Sequence, residues 1–327
     1  MVIDVISLAV KLLRLGEVVV LPTETVYGLA ASIKSGPALR KVFQIKGRPL
    51  LDPLIVHVLD YGWVPKWAHV DGLEERVKTL VDAFWPGPLT IVLQKKLAIP
   101  AIVTAGLDSV AIRCPAHEIF RKVLKAIKIP LAAPSANPFG CLSPTTAQHV
   151  KDSLGERVPL IVDGGQCNIG IESTILDMRA SVPRILRPGA ISASDIAQVI
   201  DAAVLDYSPV ISSSAVPGQL KQHYSPNTRL VLVDAEKQLA LLMNDPSREE
   251  RAAFVYLKRP AECPYENDVF WLSDDGNNRV AARSLFSILQ TLDRAGYDVI
   301  YCQKASPQGV GIAVNDRLTR AAAKFSS

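Results

Sequence analysis

A break in the hydrophobic pattern over residues 206–228 divides this chain into two segments. The break reads DYSPVISSSAVPGQLKQHYSPNT and is rich in serine and proline, with no sustained apolar period. Such a composition is typical of a linker, because proline and small polar residues interrupt both helices and strands. We therefore predict a first domain over 1–205, a linker over 206–228 and a second domain over 229–327, which a length of 327 residues accommodates.

The first segment mixes strand-like apolar runs with helical patterns. Strands are predicted at 17–22, 54–58, 89–94, 109–113, 129–133, 159–163, 172–178 and 183–187. Helices are predicted at 36–45, 116–127 and 144–154, and the apolar positions within 5–13 trace one face of a further helix. This irregular mixture predicts an α/β domain rather than a repeat or a regular barrel.

Strand and helix patterns alternate again after the break. Strands are predicted at 229–234, 252–257, 268–273 and 297–302, and helices at 236–243, 278–295 and 312–324. Such alternation over about 100 residues favours a small doubly wound, Rossmann-like α/β domain. The segment contains no G-x-G-x-x-G, so a dinucleotide is not indicated.

Composition excludes several classes of protein. The net charge of +4 is too mild to indicate a dedicated nucleic-acid binder. Five scattered cysteines without a C-x-x-C pair argue against a zinc knuckle or a disulfide framework, and they fit a reducing compartment. Asp4, Lys11 and Arg14 argue against a signal peptide, and no 18-residue apolar stretch exists. We expect a cytoplasmic protein without a membrane span.

Polar residues gather where several predicted strands end, although common phosphate-loop, zinc-helix and nucleophile-elbow motifs are absent. The first group is TETVYG, directly after VVVLP. The hydroxyl of Thr25 suits a hydrogen bond to a ligand, and it equally suits the cap of a following helix.

The second group is KGRPLLDPLIVH, which places two cations at the mouth of a predicted strand. Arg48 precedes Pro49 and is biased toward extended backbone, so Lys46 and Arg48 should point to the same side. Such a pair suits a phosphate or carboxylate, and a solvated surface pair is the alternative. His57 is either a core histidine or a site residue.

Two further groups lie later in the domain. Arg113 ends an apolar strand and needs an anionic partner, which is either a protein carboxylate or a substrate carboxylate. The small residues of PLAAPSAN let a ligand approach the backbone. Ser143 before Pro144 is also a good helix start. Glu172-Ser173-Thr174 and Arg187-Pro188-Gly189 place polar groups at strand boundaries, and no single segment is decisive.

Taken in order, these segments closely resemble the threonylcarbamoyl-adenylate synthase family. The resemblance rests on LPTETVYGLA, the KGRP and PLIVHV block, FWPGPLTIVL, TAGLDSVAIRCP, PLAAPSAN, and DGG, GIESTI and RILRPG. It covers roughly 5–200, and GQLKQHYSPNTRL resembles the linker of the long form, which adds a C-terminal α/β domain. The implied fold is a YrdC-like α/β domain whose twisted sheet encloses a deep, positively lined cavity.

The resemblance implies a nucleotidyltransferase that makes threonylcarbamoyl-adenylate and pyrophosphate from L-threonine, bicarbonate and ATP. The product would feed a downstream complex that modifies the adenosine beside the anticodon of certain tRNAs. Mg²⁺ is expected with the triphosphate, and weak tRNA binding is a further expectation. The chemistry requires mainly positioning and charge neutralisation.

Individual residues receive roles from the same resemblance. The threonine contacts are Thr25, His57, Arg113, the backbone near Ala133, and Ser173. The ATP contacts are Arg48, Ser109, Ser135, Ser143, Arg187 and Tyr224, and the catalytic cations are Lys46 and Arg48. Asp52 stands where the family usually has asparagine, and we expect it to contact the nucleotide. Its carboxylate would repel a triphosphate unless it binds the metal or pairs with Lys46 or Arg48.

Two alternatives from other classes stay open at this point. A non-catalytic RNA-binding module would also use a basic cavity, although aromatic residues make up only 6% of the chain. A carbamoyltransferase of the hydrogenase-maturation type carries a similar domain, together with zinc-finger cysteines that this sequence lacks. The combined pattern favours the synthase.

Overall fold

Two β-sheets organise the part of the chain that the structure describes. The computed structural model describes residues 4–208, 223–245, 247–261 and 268–325. Most of the predicted linker, residues 209–222, lies outside the described residues. The first sheet belongs to the segment before the linker and the second to the segment after it.

The first sheet has eight strands within the described residues and mixes parallel with antiparallel pairing. Its strands are β1 (Val19–Leu21), β2 (Gly28–Ser32), β3 (Ile55–His57), β4 (Leu89–Gln94), β5 (Ser109–Arg113), β6 (Leu131–Ala132), β7 (Thr174–Asp177) and β8 (Arg184–Arg187). They follow the order β1-β2-β6-β3-β5-β4-β7-β8. β3 and β5, the two central strands, pair in parallel with His57 opposite Arg113, so two predicted site residues meet at the carboxyl ends of these strands.

Helices cover this first sheet. They are α1 (Val5–Arg14), α2 (Gly36–Lys46), α3 (Glu74–Phe84), α4 (Glu118–Ile127), α5 (Ala147–Leu154) and α6 (Ala193–Ile200). Ser35 caps α2, and the helix ends at Gly47, whose φ of 63° is readily taken only by glycine. Within the described ranges, no helix combines the length and hydropathy that crossing a bilayer requires.

The second sheet is small and entirely parallel. Its strands are β9 (Arg229–Val233), β10 (Ala252–Lys258), β11 (Val269–Ser273) and β12 (Val299–Gln303), in the order β11-β10-β12-β9. The helices of this domain are α7 (Glu236–Met243), α8 (Asn278–Arg294) and α9 (Val310–Ala322). Parallel strands need crossover connections, and α7 supplies the one from β9 to β10 while α8 supplies the one from β11 to β12. The predicted Rossmann-like α/β architecture is therefore confirmed.

Some element predictions for the first domain were wrong. β2, α3 and α6 were missed, since the small residues of GLAAS give β2 no β-branched pattern. The strand predicted at 159–163 forms only an isolated bridge between Val20 and Ile161. The helix predicted from 144 begins at Ala147, with Thr146 as its cap, so Ser143 does not start a helix.

The two domains pack closely against each other. Gln290 of α8 donates a hydrogen bond to the carbonyl oxygen of Ser143 at 2.9 Å. Gly170, with φ of +82°, approaches α8 so closely that a Cβ would lie 2.5 Å from the Cα of Arg283. The second domain therefore contacts the loops that precede β7 in the first.

Candidate active site

A narrow cavity lies at the carboxyl ends of β3 and β5. It is lined by Thr25, Val26, Arg48, Ile55, His57, Arg113, Ala133, Pro134, Ser135, Glu172, Arg187, His223 and Tyr224. The space left for water-sized molecules is only about 50 Å³. Small-molecule pockets usually measure several hundred Å³, so the walls are close together in this structure. Two of the lining residues, His223 and Tyr224, belong to the end of the predicted linker.

A larger cavity of about 640 Å³ lies between α3, α6 and the second domain. Its walls include Phe84 and Trp85, and its charged lining residues are Asp195 and Arg279. The narrow cavity instead brings together three arginines, a glutamate and two histidines. Because convergent ionisable groups mark catalytic sites, we take the narrow cavity as the candidate active site.

The predicted site residues fall into two groups. Eight line the cavity: Thr25, Arg48, His57, Arg113, Ala133, Ser135, Arg187 and Tyr224. Five lie outside its lining: Lys46, Asp52, Ser109, Ser143 and Ser173. Four of these five contact a lining residue directly. The fifth, Ser109, occupies the opposite end of β5 from Arg113, roughly 13 Å along the strand. Its assignment to ATP stays a prediction.

Arg113 has a protein carboxylate as its partner in this structure. Its Nη2 donates to Glu24 Oε1 at 2.7 Å, and its Nε donates to the carbonyl oxygen of Gly87 at 3.3 Å. Glu24 Oε2 accepts a further hydrogen bond from the backbone of Ala116 at 3.0 Å. The pair is buried, which keeps its charges out of water, while Arg113 still lines the cavity. A threonine carboxylate as a second partner stays a prediction.

Glu24 was not among the predicted site residues, although it lies inside the TETVYG segment. The neighbouring Thr23 shapes this segment, since its hydroxyl donates to the carbonyl oxygen of Val26 at 2.6 Å. The hydroxyl oxygen of Thr23 also accepts the backbone N–H of Thr25 at 3.1 Å. The turn leads into β2 rather than a helix, so the helix-cap alternative for Thr25 was wrong.

Lys46 and Arg48 do not share one side of an extended chain, as was predicted. Lys46 is the last residue of α2, and the left-handed Gly47 turns the backbone between the two cations. Lys46 Nζ donates to the carbonyl oxygens of Ser135 and Asn137, each at 2.6 Å. Burial and the nearby Arg48 lower the pKa of Lys46 well below its usual value. Lys46 therefore supports the cavity wall from behind.

Arg48 is held by the loop that follows it. It pairs with Asp52 Oδ1 at 2.8 Å and donates to the carbonyl oxygen of Pro53 at 2.8 Å. The exposed fraction of Arg48 is 6%, so the alternative interpretation of Lys46 and Arg48 as a solvated surface pair was also wrong. Burial raises the pKa of Asp52, and Arg48 opposes that rise. Asp52 thus adopts one of the outcomes left open by the sequence, the pairing with Arg48.

Arg187 and Ser173 form one unit beside the cavity. Arg187 Nε donates to the carbonyl oxygen of Ser173 at 3.1 Å, and its Nη2 donates to Ser173 Oγ at 3.1 Å. Ser173 Oγ also lies 2.8 Å from the hydroxyl of Thr90 in β4. Burial lowers the pKa of Arg187. Ser173 consequently orients the arginine that lines the cavity.

Glu172 is a second acidic lining residue that was not predicted as part of the site. Ser143 Oγ donates to its Oε1 at 2.5 Å, and Arg317 of α9 donates from Nε to its Oε2 at 2.9 Å. The sequence signal was a charged residue at the start of the predicted strand at 172–178. Its partners lie far along the chain, so only the fold reveals the contact.

His223 and Tyr224 close one side of the cavity. Their ring centroids lie 4.1 Å apart at a steep angle. Tyr224 has a φ of 60°, which a non-glycine residue adopts only when its surroundings enforce it. Its hydroxyl has no hydrogen-bond partner within the described ranges, and burial raises its pKa to about 12. Tyr224 is therefore held in place mainly by packing.

His57 is a buried, neutral imidazole. Its exposed fraction is 2%, and its ring lies 5.1 Å from that of Phe120. Burial, followed by the positive charge of Arg113, lowers the pKa of His57 to about 3. Nδ1 has no hydrogen-bond partner in the described part of the chain. His57 can therefore serve as a neutral donor or acceptor to a ligand.

We expect His57 to make the protein less stable as the pH falls from about 7 to about 5. Its folded pKa of about 3 lies below the unfolded value of 6.5, so only the unfolded chain takes up a proton in this window. Linkage predicts a loss of about 2 kcal/mol by about pH 5. Urea unfolding of wild type and His57→Gln at both pH values measures this difference.

A matched control is His69→Gln, because the side chain of His69 is 48% exposed. The control should keep the pH dependence of the wild type, whereas His57→Gln should show a weaker one. Equal pH dependence in wild type and His57→Gln would contradict a buried, neutral His57.

Comparison with known proteins agrees with this architecture over nearly the whole chain. Residues 11–189 match the Sua5_yciO_yrdC family model, described as telomere recombination, and residues 191–323 match the model described as threonylcarbamoyl-AMP synthase, C-terminal domain. A threonylcarbamoyl-AMP synthase of Pyrococcus abyssi is 36% identical over 97% of this chain and 93% of its own length. One of Bacillus subtilis is 37% identical over 97% of this chain and 92% of its own length.

A solved structure shows the same fold. The crystal structure of P. abyssi Sua5 complexed with L-threonine superposes with a TM-score of 0.88 at 35% identity. The match covers 97% of this chain and 94% of that chain, so it includes both domains.

Proposed function

The chain belongs to the threonylcarbamoyl-AMP synthase family in its two-domain form, and from this premise we propose how its cavity makes threonylcarbamoyl-AMP. The amine of L-threonine adds to the carbon of bicarbonate with loss of water and gives a carbamate. A carbamate oxygen then bonds to the α-phosphorus of ATP, and the bond from that phosphorus to pyrophosphate breaks. Since AMP is transferred, the enzyme is a nucleotidyltransferase.

The observation that carries this proposal is the convergence of Arg48, Arg113 and Arg187 in one cavity. Their exposed fractions are only 6, 4 and 4%. The reaction has three anionic reactants, which are a carboxylate, bicarbonate and a triphosphate. Fixed cations in a site with little water stabilise the charge that develops during phosphoryl transfer far better than water does.

The roles of individual residues are part of the proposal. Threonine is held by Thr25, His57, Arg113, the backbone of Ala133, and Ser173. ATP is held by Arg48, Asp52, Ser109, Ser135, Ser143, Arg187 and Tyr224. Lys46 supports the Ser135 carbonyl and adds positive charge for bicarbonate and phosphate, and Arg48 neutralises phosphate directly. Ser173 and Ser143 contact the cavity lining through Arg187 and Glu172, respectively.

Magnesium enters this reaction as part of the substrate, MgATP. In such complexes Mg²⁺ is held mostly by phosphate oxygens and water, with one or two carboxylates. No three metal-binding side chains of His, Cys, Asp or Glu cluster within the described residues. Asp52 Oδ2 is buried without a hydrogen-bond partner, so this oxygen fits a ligand of the ion that ATP brings.

The product of this reaction is a mixed anhydride, so its chemistry requires a transferase that consumes it promptly. We propose that a tRNA-modifying complex takes the threonylcarbamoyl group for the adenosine beside the anticodon, and that weak tRNA binding accompanies the transfer. Cys114, Cys141, Cys167 and Cys302 are free thiols, which supports a cytoplasmic location.

Pyrophosphate release with one reactant omitted at a time tests the proposed reaction. Complete mixtures of ATP, L-threonine and bicarbonate should release pyrophosphate, and omission of threonine or bicarbonate should stop the release. Release that needs neither compound would contradict the synthase. RNA binding with a steep salt dependence and no ATP turnover would instead favour the RNA-binding alternative.

A further inference from the structure

Arg317 of α9 is the most deeply buried cation that the second domain brings to the first. Its exposed fraction is 1%, and it is among the largest fully buried side chains. Nε donates to Glu172 Oε2 at 2.9 Å, and Nη1 donates to the carbonyl oxygen of Pro188 at 2.8 Å. The guanidinium also lies 5.4 Å from the ring centroid of Tyr224. One residue of the second domain therefore touches three parts of the first domain and linker.

The ion pair between Arg317 and Glu172 matters for the site because Glu172 is a carboxylate that lines the cavity. An unpaired anion there would repel a triphosphate, or it would attract one of the cavity arginines. Arg187 already interacts electrostatically with Glu172. The ion pair with Arg317 neutralises Glu172 from outside the cavity, and Ser143 holds the other carboxylate oxygen.

The surroundings of Arg317 favour its charged form. Burial opposes the charge, yet Tyr224, Glu172 and Asp316 together hold the pKa of Arg317 above its ordinary value. Nη1 pairs with Asp316 at 2.9 Å. Nη2 has no hydrogen-bond partner within the described ranges, so the guanidinium is not saturated by protein groups.

The same helix also holds both described ends of the linker. Asp316 accepts a hydrogen bond from the hydroxyl of Tyr207 at 2.7 Å. Arg320 donates to that hydroxyl at 2.6 Å, and its carbonyl oxygen accepts the backbone N–H of His223 at 3.5 Å. Helix α9 thus fixes the segments that enter and leave the linker beside the cavity.

We infer that Arg317 is a positioning residue for the nucleotide, through which the second domain keeps Glu172 neutralised and Tyr224 in place. This inference rests on the proposed function for the identity of the nucleotide. It assigns the second domain a direct part in the active site, without any chemistry of its own. The cavity arginines then bind the substrate anions rather than pair with Glu172.

The first test is ATP binding by calorimetry, without threonine, combined with the KM for ATP and kcat. Arg317→Met should weaken ATP binding and raise its KM by about 30-fold or more, since a lost partner leaves a buried charge uncompensated. kcat should change much less. The double variant Arg317→Met/Glu172→Gln should recover most of the ATP affinity, because no unpaired carboxylate remains.

A matched control is Arg294→Met. Arg294 also forms an ion pair between the domains, with Asp152, but it does not line the cavity. This variant should keep the ATP affinity of the wild type. Wild-type ATP affinity in Arg317→Met, or a double variant as impaired as Arg317→Met, would overturn the inference.

Arg317→Lys keeps the test decisive if the methionine variant does not fold. Lysine retains the charge that neutralises Glu172, so ATP affinity should stay within about fivefold of wild type. A large loss of ATP affinity in Arg317→Lys, despite the retained charge, would show that Arg317 does not act by neutralising Glu172. That result would overturn the inference. Absence of pyrophosphate release by the wild type would refute the proposed function, whereas ATP binding by the variants tests this inference separately.

Discussion

Replacing Arg113 by methionine should lower kcat/KM for threonine by at least about 100-fold and also destabilise the protein. The variant leaves Glu24 as a buried carboxylate without its cation, which typically costs about 3 to 5 kcal/mol of stability. The unpaired carboxylate also lies beside the place proposed for the threonine carboxylate, so like charges would repel each other. Urea unfolding and calorimetric titration of threonine measure the two effects.

The double variant Arg113→Met/Glu24→Gln separates these two roles. Without the glutamate charge, much of the stability should return, whereas threonine affinity should not, since no cation replaces Arg113. A control is Arg121→Met: Arg121 donates to the carbonyl oxygen of Leu59 at 3.0 Å and does not line the cavity. It should bind threonine normally. Restored threonine affinity in the double variant would show that Arg113 acts only through its ion pair.

Replacing Lys46 by methionine should lower kcat/KM for ATP by about 100-fold. Its ammonium bridges the carbonyl oxygens of Ser135 and Asn137, and both oxygens would lose a buried, charged donor. A hydrogen bond to a charged group contributes about 1.5 to 3 kcal/mol, and 3 kcal/mol corresponds to roughly 100-fold. Initial rates over a range of ATP concentrations measure the effect.

Lys46→Arg should rescue little, because a planar guanidinium cannot take the place of a compact ammonium between two carbonyls. Lys41→Met is the matched control in the same helix. Lys41 pairs with Glu17 at 2.6 Å, but its side chain is 41% exposed, and exposed pairs contribute at most about 1 kcal/mol. A kcat/KM for ATP near the wild-type value in Lys46→Met would refute the supporting role of this lysine.

Sequence patterns predict the strands of this protein best where the side chains are large and apolar. β4 and β5 begin and end at the predicted residues, because LTIVLQ and SVAIR give a clear strand signal. β2 was not predicted, because GLAAS consists mostly of small residues and gives no strand pattern, although all five residues are buried. Pattern alone also gives no strand order, so the pairing of β3 with β5 depends on the fold.

The sequence predicted the site residues that are cations or hydroxyls at the ends of strands. It missed the acidic lining and pairing residues, whose partners are distant in sequence. Glu24 and Arg113 are 89 residues apart in sequence, and Glu172 and Arg317 are 145 apart. Which carboxylate a buried arginine meets is decided by packing between remote segments, and local spacing does not contain that information.

Lys46 and Arg48 illustrate the limit of local reasoning in one short segment. The proline at position 49 correctly favours a non-helical Arg48, but Gly47 allows a left-handed turn that sends the two cations to different partners. Their assignment to one anion-binding site came from the family resemblance and stays a prediction. The placement of the two side chains, with Lys46 behind the cavity wall and Arg48 in it, follows only from the fold.

The fate of bicarbonate carbon is the most direct test of the proposed reaction. Incubating the protein with ATP, L-threonine and ¹³C-bicarbonate, followed by mass spectrometry, should give threonylcarbamoyl-AMP that carries the label. The same product with unlabelled bicarbonate should be lighter by one mass unit. Formation of AMP or threonyl-AMP without the labelled carbon would contradict the proposed reaction.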